Sequence, residues 1–395
     1  MKKIISFILI SVLVLSLGII SFAENDTKSA AEYENGFYSD VNLEIEQEFG
    51  GIYLCEASTG KVLYASGEFK AASPASVTKV MTLLLVCEAL EEGKFSLSDT
   101  VRVSAKAASM GGSQVFLEEG ERITVEDLIK STVIASGNDS SVALAELTAG
   151  SEAAFVNMMN EKAAKLGLKN THFENTTGLD DTTTNHYSCA ADIATMSREL
   201  INHKIILDYS SIWQDTIRNG EFTLTNTNRL VRYYDGCNGL KTGSTDKAGY
   251  CITATAKRGN MQLIAVVMGA KTRDERNAIA RTLLDFGFAN YALYEKNESF
   301  IENADVRKGR IDYTALYSAP FSCVVDKSKQ SKIELIYEIP EFIVAPITSG
   351  DTVGKIIYKI DGEQIGESEI YIKEKIEKIK FGDLLGRILK RIVCG

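Results

Sequence analysis

Two groups of strand-like segments lie at opposite ends of a long, mostly helical stretch, and they limit the possible folds more than any other feature. Residues 51–55 and 62–64 surround a Ser-Thr-Gly-Lys turn, which predicts a hairpin. Residues 249–257 and 261–270 form a second strand pair around a Gly-containing turn. Because these strands need partners, we expect an α+β fold. One antiparallel sheet, flanked by helices, is assembled from both groups, and a helical subdomain is inserted between them.

The stretch between the strand groups has the spacing of amphipathic helices. Apolar residues recur at three- and four-residue intervals over 75–90, in two segments within 124–147, and over 152–166. A further helix is predicted over 273–294, after the second strand pair. We assign these segments to a first domain over residues 45–298.

Beyond residue 298 the pattern changes to short strand-like runs separated by Gly-containing turns. The runs cover residues 331–339, 353–359 and 368–372. They predict a separate, small all-β domain over residues 299–370.

The N-terminus has the pattern of a secretory signal peptide. Two lysines precede an apolar run from Ile4 to Leu17, and Ser21-Phe22-Ala23 offers small residues at the two positions that a signal peptidase reads. We therefore expect an exported protein with a signal peptide over residues 1–23 and a polar segment over 24–44. An uncleaved anchor is the alternative, since the run comes close to spanning a bilayer.

Charge and composition argue against several classes of protein. The chain has 43 basic and 53 acidic residues, a net charge of −10, which argues against nucleic acid as a partner. Its seven cysteines show no C-x-x-C spacing, and its three histidines no H-x-x-x-H spacing. We therefore expect neither a metal site nor a cofactor.

Three short motifs occur in one order along the first domain. Ser76-Val77-Thr78-Lys79 opens a helical segment, Ser136-Gly137-Asn138 lies at a helix junction, and Lys241-Thr242-Gly243 precedes a strand. An S-x-x-K match alone is weak evidence for a catalytic site. The three motifs together are typical of one class of serine acyl-transfer site.

Attack by a serine hydroxyl requires several chemical groups, and each motif supplies at least one of them. Three residues make about one helical turn, so Ser76 and Lys79 lie within reach of each other. A lysine serves as the base only if its pKa falls well below its usual value of about 10.4. The positive charge of Lys241 would lower that pKa, and Lys241 is also suited to bind a carboxylate. The start of the Ser76 helix offers a backbone N–H for an oxyanion hole, and Gly243 leaves room for substrate beside its strand.

The residues around these motifs resemble one family. Pro74–Thr82 is similar to the nucleophile signature of low-molecular-mass penicillin-binding proteins, the serine-type D-Ala-D-Ala carboxypeptidases. β-Lactamases typically carry Asp at the position of Gly137. The Ser-Gly-Asn form found here is similar to that of the carboxypeptidases. Further similar segments, within a resemblance over about residues 45–290, are Thr59–Tyr64, Thr171–Leu179 and Gly239–Gly243. The resemblance implies a β-lactamase/transpeptidase-like domain, a β-rich C-terminal domain and a membrane-binding tail.

The resemblance also implies catalytic roles. Ser76 would attack the penultimate D-Ala carbonyl of a peptidoglycan stem peptide, and Lys79 would accept its proton. Ser136 and Asn138 would relay a proton to the leaving amine and position the peptide. Water would then hydrolyse the acyl-enzyme, and β-lactam antibiotics would be covalent inhibitors.

Substrate binding is implied for the third motif and the residue after it. Lys241 and Thr242 would bind the terminal D-Ala carboxylate beside Gly243, and Ser244 would offer a second oxyanion N–H. An enzyme of this kind would work at the outer face of the cytoplasmic membrane or in the cell wall.

Other functions remain open on the same motifs. A β-lactamase or a D,D-endopeptidase would use the same site, and a non-catalytic penicillin-binding or wall-binding module would not turn over. The Glu-x-x-x-Asn segment that activates the deacylating water in class A β-lactamases has no good match. Its nearest candidate, Glu174-Asn175, has the wrong spacing.

The C-terminal residues form a basic and apolar tail. Residues 371–395 hold seven basic against three acidic residues. The apolar side chains are predicted to share one stripe of a helix: Ile372, Ile376, Ile379, Leu384, Leu385, Ile388, Leu389 and Ile392. We expect an amphipathic helix that lies on a membrane surface, with docking on its own domain as the alternative.

Overall fold

The computed structural model describes residue 43, residues 50–181 and residues 183–394. Its strands, in chain order, are β1 (Ile52–Glu56), β2 (Val62–Ser66), β3 (Thr100–Arg102), β4 (Arg122–Thr124), β5 (Gln214–Ile217), β6 (Phe222–Thr225), β7 (Cys237–Thr245), β8 (Gly249–Arg258), β9 (Met261–Ala270), β10 (Tyr291–Lys296), β11 (Ser299–Arg307), β12 (Tyr313–Ser318), β13 (Phe321–Asp326), β14 (Glu334–Glu338), β15 (Ile343–Val344), β16 (Thr352–Ile360) and β17 (Glu363–Ile372). The predicted signal peptide and nearly all of the polar segment after it lie outside the described residues.

The helices are likewise numbered in chain order. They are α1 (Lys79–Glu91), α2 (Ala105–Ala108), α3 (Val125–Ile134), α4 (Asn138–Ala149), α5 (Glu152–Lys165), α6 (Ala190–Leu200), α7 (Lys204–Ser210), α8 (Leu230–Tyr233), α9 (Arg273–Asn290) and α10 (Phe381–Cys394). A 3-10 turn, Ala75–Thr78, leads directly into α1.

The central sheet joins the two ends of the first domain. Its strand order is β2-β1-β9-β8-β7, and every neighbouring pair is antiparallel. The helices α1 to α8 lie in the chain between β2 and β7. The α+β fold, the mixed origin of the sheet and the inserted helical region are therefore confirmed.

Helices cover both faces of this sheet. Along β9, alternate side chains enter different cores, because successive residues of a strand point to opposite faces. Ile264 and Val266 belong to the core shared with α1, whereas Leu263 and Val267 belong to the core under α9. Helix α1 is buried on nearly all sides, as expected for a helix with apolar residues all round. This places its first residue, Lys79, inside the protein.

The C-terminal strands form a separate all-β region. A six-stranded sheet has the order β14-β16-β17-β12-β11-β15, and β10 pairs with β13 beside it. Their apolar core includes Tyr358, whose ring stacks on Phe321 at a centroid distance of 3.8 Å. The helix predicted over 273–294 is too long, since α9 ends at Asn290 and residues 291–296 form β10. This segment is rich in aromatic residues and pairs along its whole length with β13.

The tail is helical only in its last part. The prediction of a helix from residue 371 is wrong, because Ile372 ends β17 and Ile376 forms a bridge with Ile347. Both isoleucines are fully buried in the C-terminal core, which requires an extended chain at this point. Helix α10 begins at Phe381. Within the described residues, no helix is both long and apolar enough to cross a bilayer.

Candidate active site

The nucleophile motif folds as predicted, at the start of a buried helix. Ser76 lies on the 3-10 turn and Lys79 is the first residue of α1. The one-turn spacing brings Lys79 Nζ within 3.0 Å of Ser76 Oγ. Ala75 has a positive φ of 47°, and its carbonyl oxygen would lie 1.8 Å from a Cβ on Gly178. Only glycine at 178 therefore lets the neighbouring loop close on the nucleophile turn.

Lys79 is fully buried and surrounded by hydrogen-bond acceptors. Besides Ser76, its Nζ donates to Asn138 Oδ1 at 2.6 Å and to the Thr177 carbonyl at 2.9 Å. Burial holds the pKa of Lys79 well below its usual range, and the positive charge of Lys241 lowers it further. The effect of Lys241 has the predicted direction, but burial is the larger cause. A neutral Lys79 has a lone pair with which to accept the Ser76 proton.

The Ser-Gly-Asn motif connects the two lysines. Ser136 lies between α3 and α4 with a positive φ of 64°, and its Oγ accepts a hydrogen bond from Lys241 Nζ at 2.8 Å. Asn138 holds Lys79 through its side-chain oxygen, and its Nδ2 donates to the Gly111 carbonyl at 2.7 Å. The motif therefore lies within hydrogen-bond distance of both buried amines.

The third motif lies inside β7 and not, as predicted, before a strand. Lys241 is buried, and burial together with the charge of Arg276 lowers its pKa to about 7. Thr242 Oγ1 donates to Thr227 Oγ1 at 2.8 Å. A Cβ on Gly243 would lie 2.7 Å from the backbone nitrogen of Ser76. Glycine is thus required by the approach of β7 to the nucleophile turn, which the sequence argument did not foresee.

These residues border a cleft of about 610 Å³. It contains five of the eight predicted site residues, namely Ser76, Ser136, Thr242, Gly243 and Ser244. The other three, Lys79, Asn138 and Lys241, are buried beside it. The remaining lining residues are Ser113, Trp213, Thr225, Asn226, Thr227, Arg229, Tyr233, Arg273 and Arg276. The lining contains three arginines and no acidic residue.

Arg276 is the most important residue that the sequence argument missed. It lies on α9, only 3% of its surface is exposed, and its Nη1 donates to the Cys251 carbonyl at 3.4 Å. Burial lowers its pKa to about 10, so it remains charged at neutral pH. The tertiary structure is needed to see that this arginine is buried and lines the cleft, because no local motif in the sequence indicates either property.

The loop after α5 also has a role that the sequence argument did not find. Asn175 Oδ1 accepts hydrogen bonds from the backbone nitrogens of Thr177 and Gly178, at 3.1 and 2.7 Å. This turn directs the Thr177 carbonyl to Lys79. Glu174 instead binds the backbone nitrogens of Thr184 and Asn185 and does not line the cleft. Within the described residues, no group of three His, Cys, Asp or Glu side chains is arranged to hold a metal ion.

Family models match both parts of the chain. A model described as D-alanyl-D-alanine carboxypeptidase matches residues 44–272, and one described as the C-terminal domain of penicillin-binding protein 5 matches residues 288–378. The D-alanyl-D-alanine carboxypeptidase DacF of Bacillus subtilis (strain 168) is 43% identical, over 98% of each chain. The D-alanyl-D-alanine carboxypeptidase DacC of Escherichia coli (strain K12) is 32% identical, over 85% of each chain.

Solved structures are similar over the same regions. Penicillin-binding protein 5 from Haemophilus influenzae has a TM-score of 0.74 and 31% identity, with coverage of 84% of this chain and 98% of that one. Penicillin-binding protein D2 from Listeria monocytogenes, in its ampicillin-bound form, has a TM-score of 0.57 and 30% identity. It covers 63% of this chain and 100% of its own.

Proposed function

The chain belongs to the D-alanyl-D-alanine carboxypeptidase family, and from this membership and the site geometry we propose that Ser76 and Lys79 carry out its reaction. The substrate is a peptidoglycan stem peptide that ends in D-Ala-D-Ala. The observation that carries the proposal is the fully buried Lys79, with its Nζ 3.0 Å from Ser76 Oγ.

Acylation begins with neutral Lys79. It accepts the Ser76 proton as Oγ attacks the carbonyl carbon of the penultimate D-Ala, and a tetrahedral intermediate forms. The backbone N–H groups of Ser76 and Ser244 stabilise its oxyanion. Gly243 supports this arrangement, because a residue without a Cβ at this point lets β7 approach the nucleophile turn closely.

The leaving D-alanine is bound through its carboxylate. Lys241, Thr242 and Arg276 hold the terminal carboxylate, and Lys241 is hydrogen-bonded to Ser136. As the C–N bond breaks, the proton that Lys79 took from Ser76 is relayed through Ser136 to the departing amine, so that Lys79 is neutral again, and Asn138 keeps Lys79 in place. D-Alanine then leaves, and water, activated by Lys79, hydrolyses the ester and restores Ser76.

Release of D-alanine from a stem pentapeptide tests this proposal. The wild-type enzyme should release D-alanine, and Ser76→Ala should lower the rate by about 10⁴-fold or more, because the nucleophile is lost. Ser109→Ala, a change at an exposed serine outside the cleft, is the matched control and should keep the wild-type rate. Wild-type protein that releases no D-alanine would refute the proposal.

We also propose that β-lactams acylate Ser76 and form a long-lived adduct. Supporting this, Glu174 is held by two backbone nitrogens outside the cleft, so it is not placed to activate a deacylating water as in a class A β-lactamase. Rapid turnover of labelled penicillin would favour the β-lactamase alternative.

We further propose that the mature protein is exported and held on the outer face of the cytoplasmic membrane by α10. The large apolar side chains described on this helix are about half exposed or more, from 45% at Leu384 to 80% at Phe381. Two of its charged residues bind the C-terminal domain: Asp383 pairs with Arg310 at 2.9 Å, and Arg387 with Asp312 at 2.7 Å. A helix held by its charged side, with its apolar side free, is suited to a lipid interface.

A further inference from the structure

A chain of hydrogen bonds connects Lys79 with a carboxylate that lies outside the cleft. The Thr177 carbonyl accepts a hydrogen bond from Lys79 Nζ at 2.9 Å, and Thr176 precedes it in the loop after α5. The backbone nitrogen and the hydroxyl of Thr176 both donate to Glu152 Oε1, at 3.2 and 3.0 Å. Glu152 is the first residue of α5 and does not line the cleft. Glu152 can therefore affect the reaction only through other residues.

Thr176 is completely buried, and its polar groups are held by three neighbours. Its carbonyl accepts hydrogen bonds from Thr82 Oγ1 on α1, at 2.8 Å, and from Ser141 Oγ on α4, at 3.0 Å. Its two donors, the backbone N–H and the hydroxyl, are satisfied by Glu152. A buried donor without an acceptor is costly, so without this carboxylate the turn would rotate to find other acceptors. Rotation of this peptide unit would turn the next carbonyl away from the base.

The direction of that carbonyl matters because neutral Lys79 has two N–H bonds and one lone pair. Its Nζ donates to Asn138 Oδ1 and to the Thr177 carbonyl. When both N–H bonds are directed in this way, the lone pair is left for the third neighbour, Ser76 Oγ, at 3.0 Å. A base must be aimed at the proton that it abstracts. Loss of either acceptor would allow the amine to rotate its lone pair away from Ser76.

The charge of Glu152 is balanced through its other oxygen. This oxygen, Oε2, pairs with Lys106 Nζ at 2.5 Å. Lys106 lies on α2 and is exposed, whereas Glu152 is buried. Because Oε1 holds the turn and Oε2 holds the exposed lysine, substitutions can separate the two contacts.

We propose that Glu152 is a positioning residue for the base. Through Thr176 it keeps the Thr177 carbonyl directed at Lys79 Nζ, and this holds the lone pair of the amine towards Ser76. The inference rests on the proposed function of Ser76 and Lys79, and it adds a residue that supports the base from outside the cleft.

Two substitutions of Glu152 separate this role from its charge. Glu152→Gln keeps an oxygen that accepts from Thr176 but loses the negative charge, whereas Glu152→Ala removes both. In D-alanine release from a stem pentapeptide, Glu152→Ala should lower kcat and kcat/KM equally, by about tenfold, because the base is misdirected while the substrate contacts remain. Glu152→Gln should restore kcat to within about twofold of the wild-type value.

The pH profile of kcat/KM separates positioning of the base from general damage to the structure. Its acidic limb reports the pKa of Lys79, and a carbonyl acceptor stabilises the ammonium form. Glu152→Ala should therefore lower this pKa and move the limb to lower pH, by about half a unit. General loosening of the site would instead hydrate Lys79 and move the limb to higher pH. The other charges that act on Lys79, those of Lys241 and Asp139, are unchanged in this variant.

Glu152→Gln and a matched control should leave the acidic limb in place. Glu161→Ala is that control, because this exposed glutamate lies on the same helix, α5. It should also keep the wild-type kcat. Thr176→Val, which removes the hydroxyl donor and leaves the carboxylate, should lower kcat by about threefold, and it carries the test if Glu152→Ala does not fold.

An unchanged kcat in Glu152→Ala or Thr176→Val, or an equal loss in Glu152→Gln, would overturn the role of Glu152 while leaving D-alanine release intact. A shift of the acidic limb to higher pH in Glu152→Ala would also overturn it. Failure of the wild-type enzyme to release D-alanine would instead refute the proposed function itself.

Discussion

At the scale of single residues, the function of the site depends on the protonation states of two buried lysines. Lys79 and Lys241 are both buried, and the pKa of each is lowered from its usual value. Their roles require opposite states, because Lys79 must be neutral to act as the base and Lys241 must be charged to bind a carboxylate. The pair is therefore expected to share one proton over the working pH range.

This sharing predicts a bell-shaped pH profile of kcat/KM. Activity should rise as Lys79 loses its proton and fall as Lys241 loses its own. A like charge nearby disfavours the charged form, so Lys241→Gln should raise the pKa of Lys79. The acidic limb should then move to higher pH by roughly one unit, whatever the loss in overall rate.

Lys257→Gln is the control for this profile, because Lys257 is exposed near the end of β8. Its acidic limb should coincide with that of the wild type. A limb that stays in place in Lys241→Gln would show that Lys241 does not influence the base.

At the scale of elements, neighbouring loops hold the site rigid. Asp139 is buried at the start of α4, and its carboxylate accepts hydrogen bonds from the backbone nitrogens of Val115 and Leu117, at 3.0 and 3.1 Å. The Asn138 side chain binds the Gly111 carbonyl in the same loop. The loop over 111–117 is therefore attached to the helix that carries the Ser-Gly-Asn motif, and Ser113 of this loop lines the cleft.

Helix α10 has its own prediction, which concerns membrane binding. Leu385 is 47% exposed on this helix, and Leu385→Asp should weaken binding to anionic lipid vesicles by about tenfold or more, because an apolar contact with lipid is replaced by a charge. Sedimentation with vesicles measures this, and D-alanine release from a soluble peptide should be unchanged.

Ile336→Asp is the matched control, since Ile336 is similarly exposed, at 41%, but lies on β14. It should sediment like the wild type. Equal binding by both variants and the wild type would mean that α10 does not hold the protein on the membrane.

At the scale of the whole molecule, the sequence was sufficient where a pattern is local. The sheet assembled from both ends of the first domain followed from period-two runs, and the five cleft residues from three motifs and the residue after the third. Predictions failed where burial in the tertiary structure determines the conformation or the role of a residue. Ile372 and Ile376 fit a helical stripe but belong to the β core, and Arg276 matched no motif although it is buried at the cleft. Gly178 and Gly243 are required by contacts between distant segments, which spacing along the chain does not reveal.

Capture of the acyl-enzyme from substrate tests most directly that Ser76 is the nucleophile of a D-alanine-releasing reaction. The enzyme is mixed with a stem pentapeptide, quenched in acid within milliseconds to seconds and digested for peptide mass mapping. We predict an added mass equal to the substrate less one D-alanine, on the peptide that contains Ser76, and its absence from Ser76→Ala. The same added mass on a peptide without Ser76, or its persistence in Ser76→Ala, would contradict the mechanism.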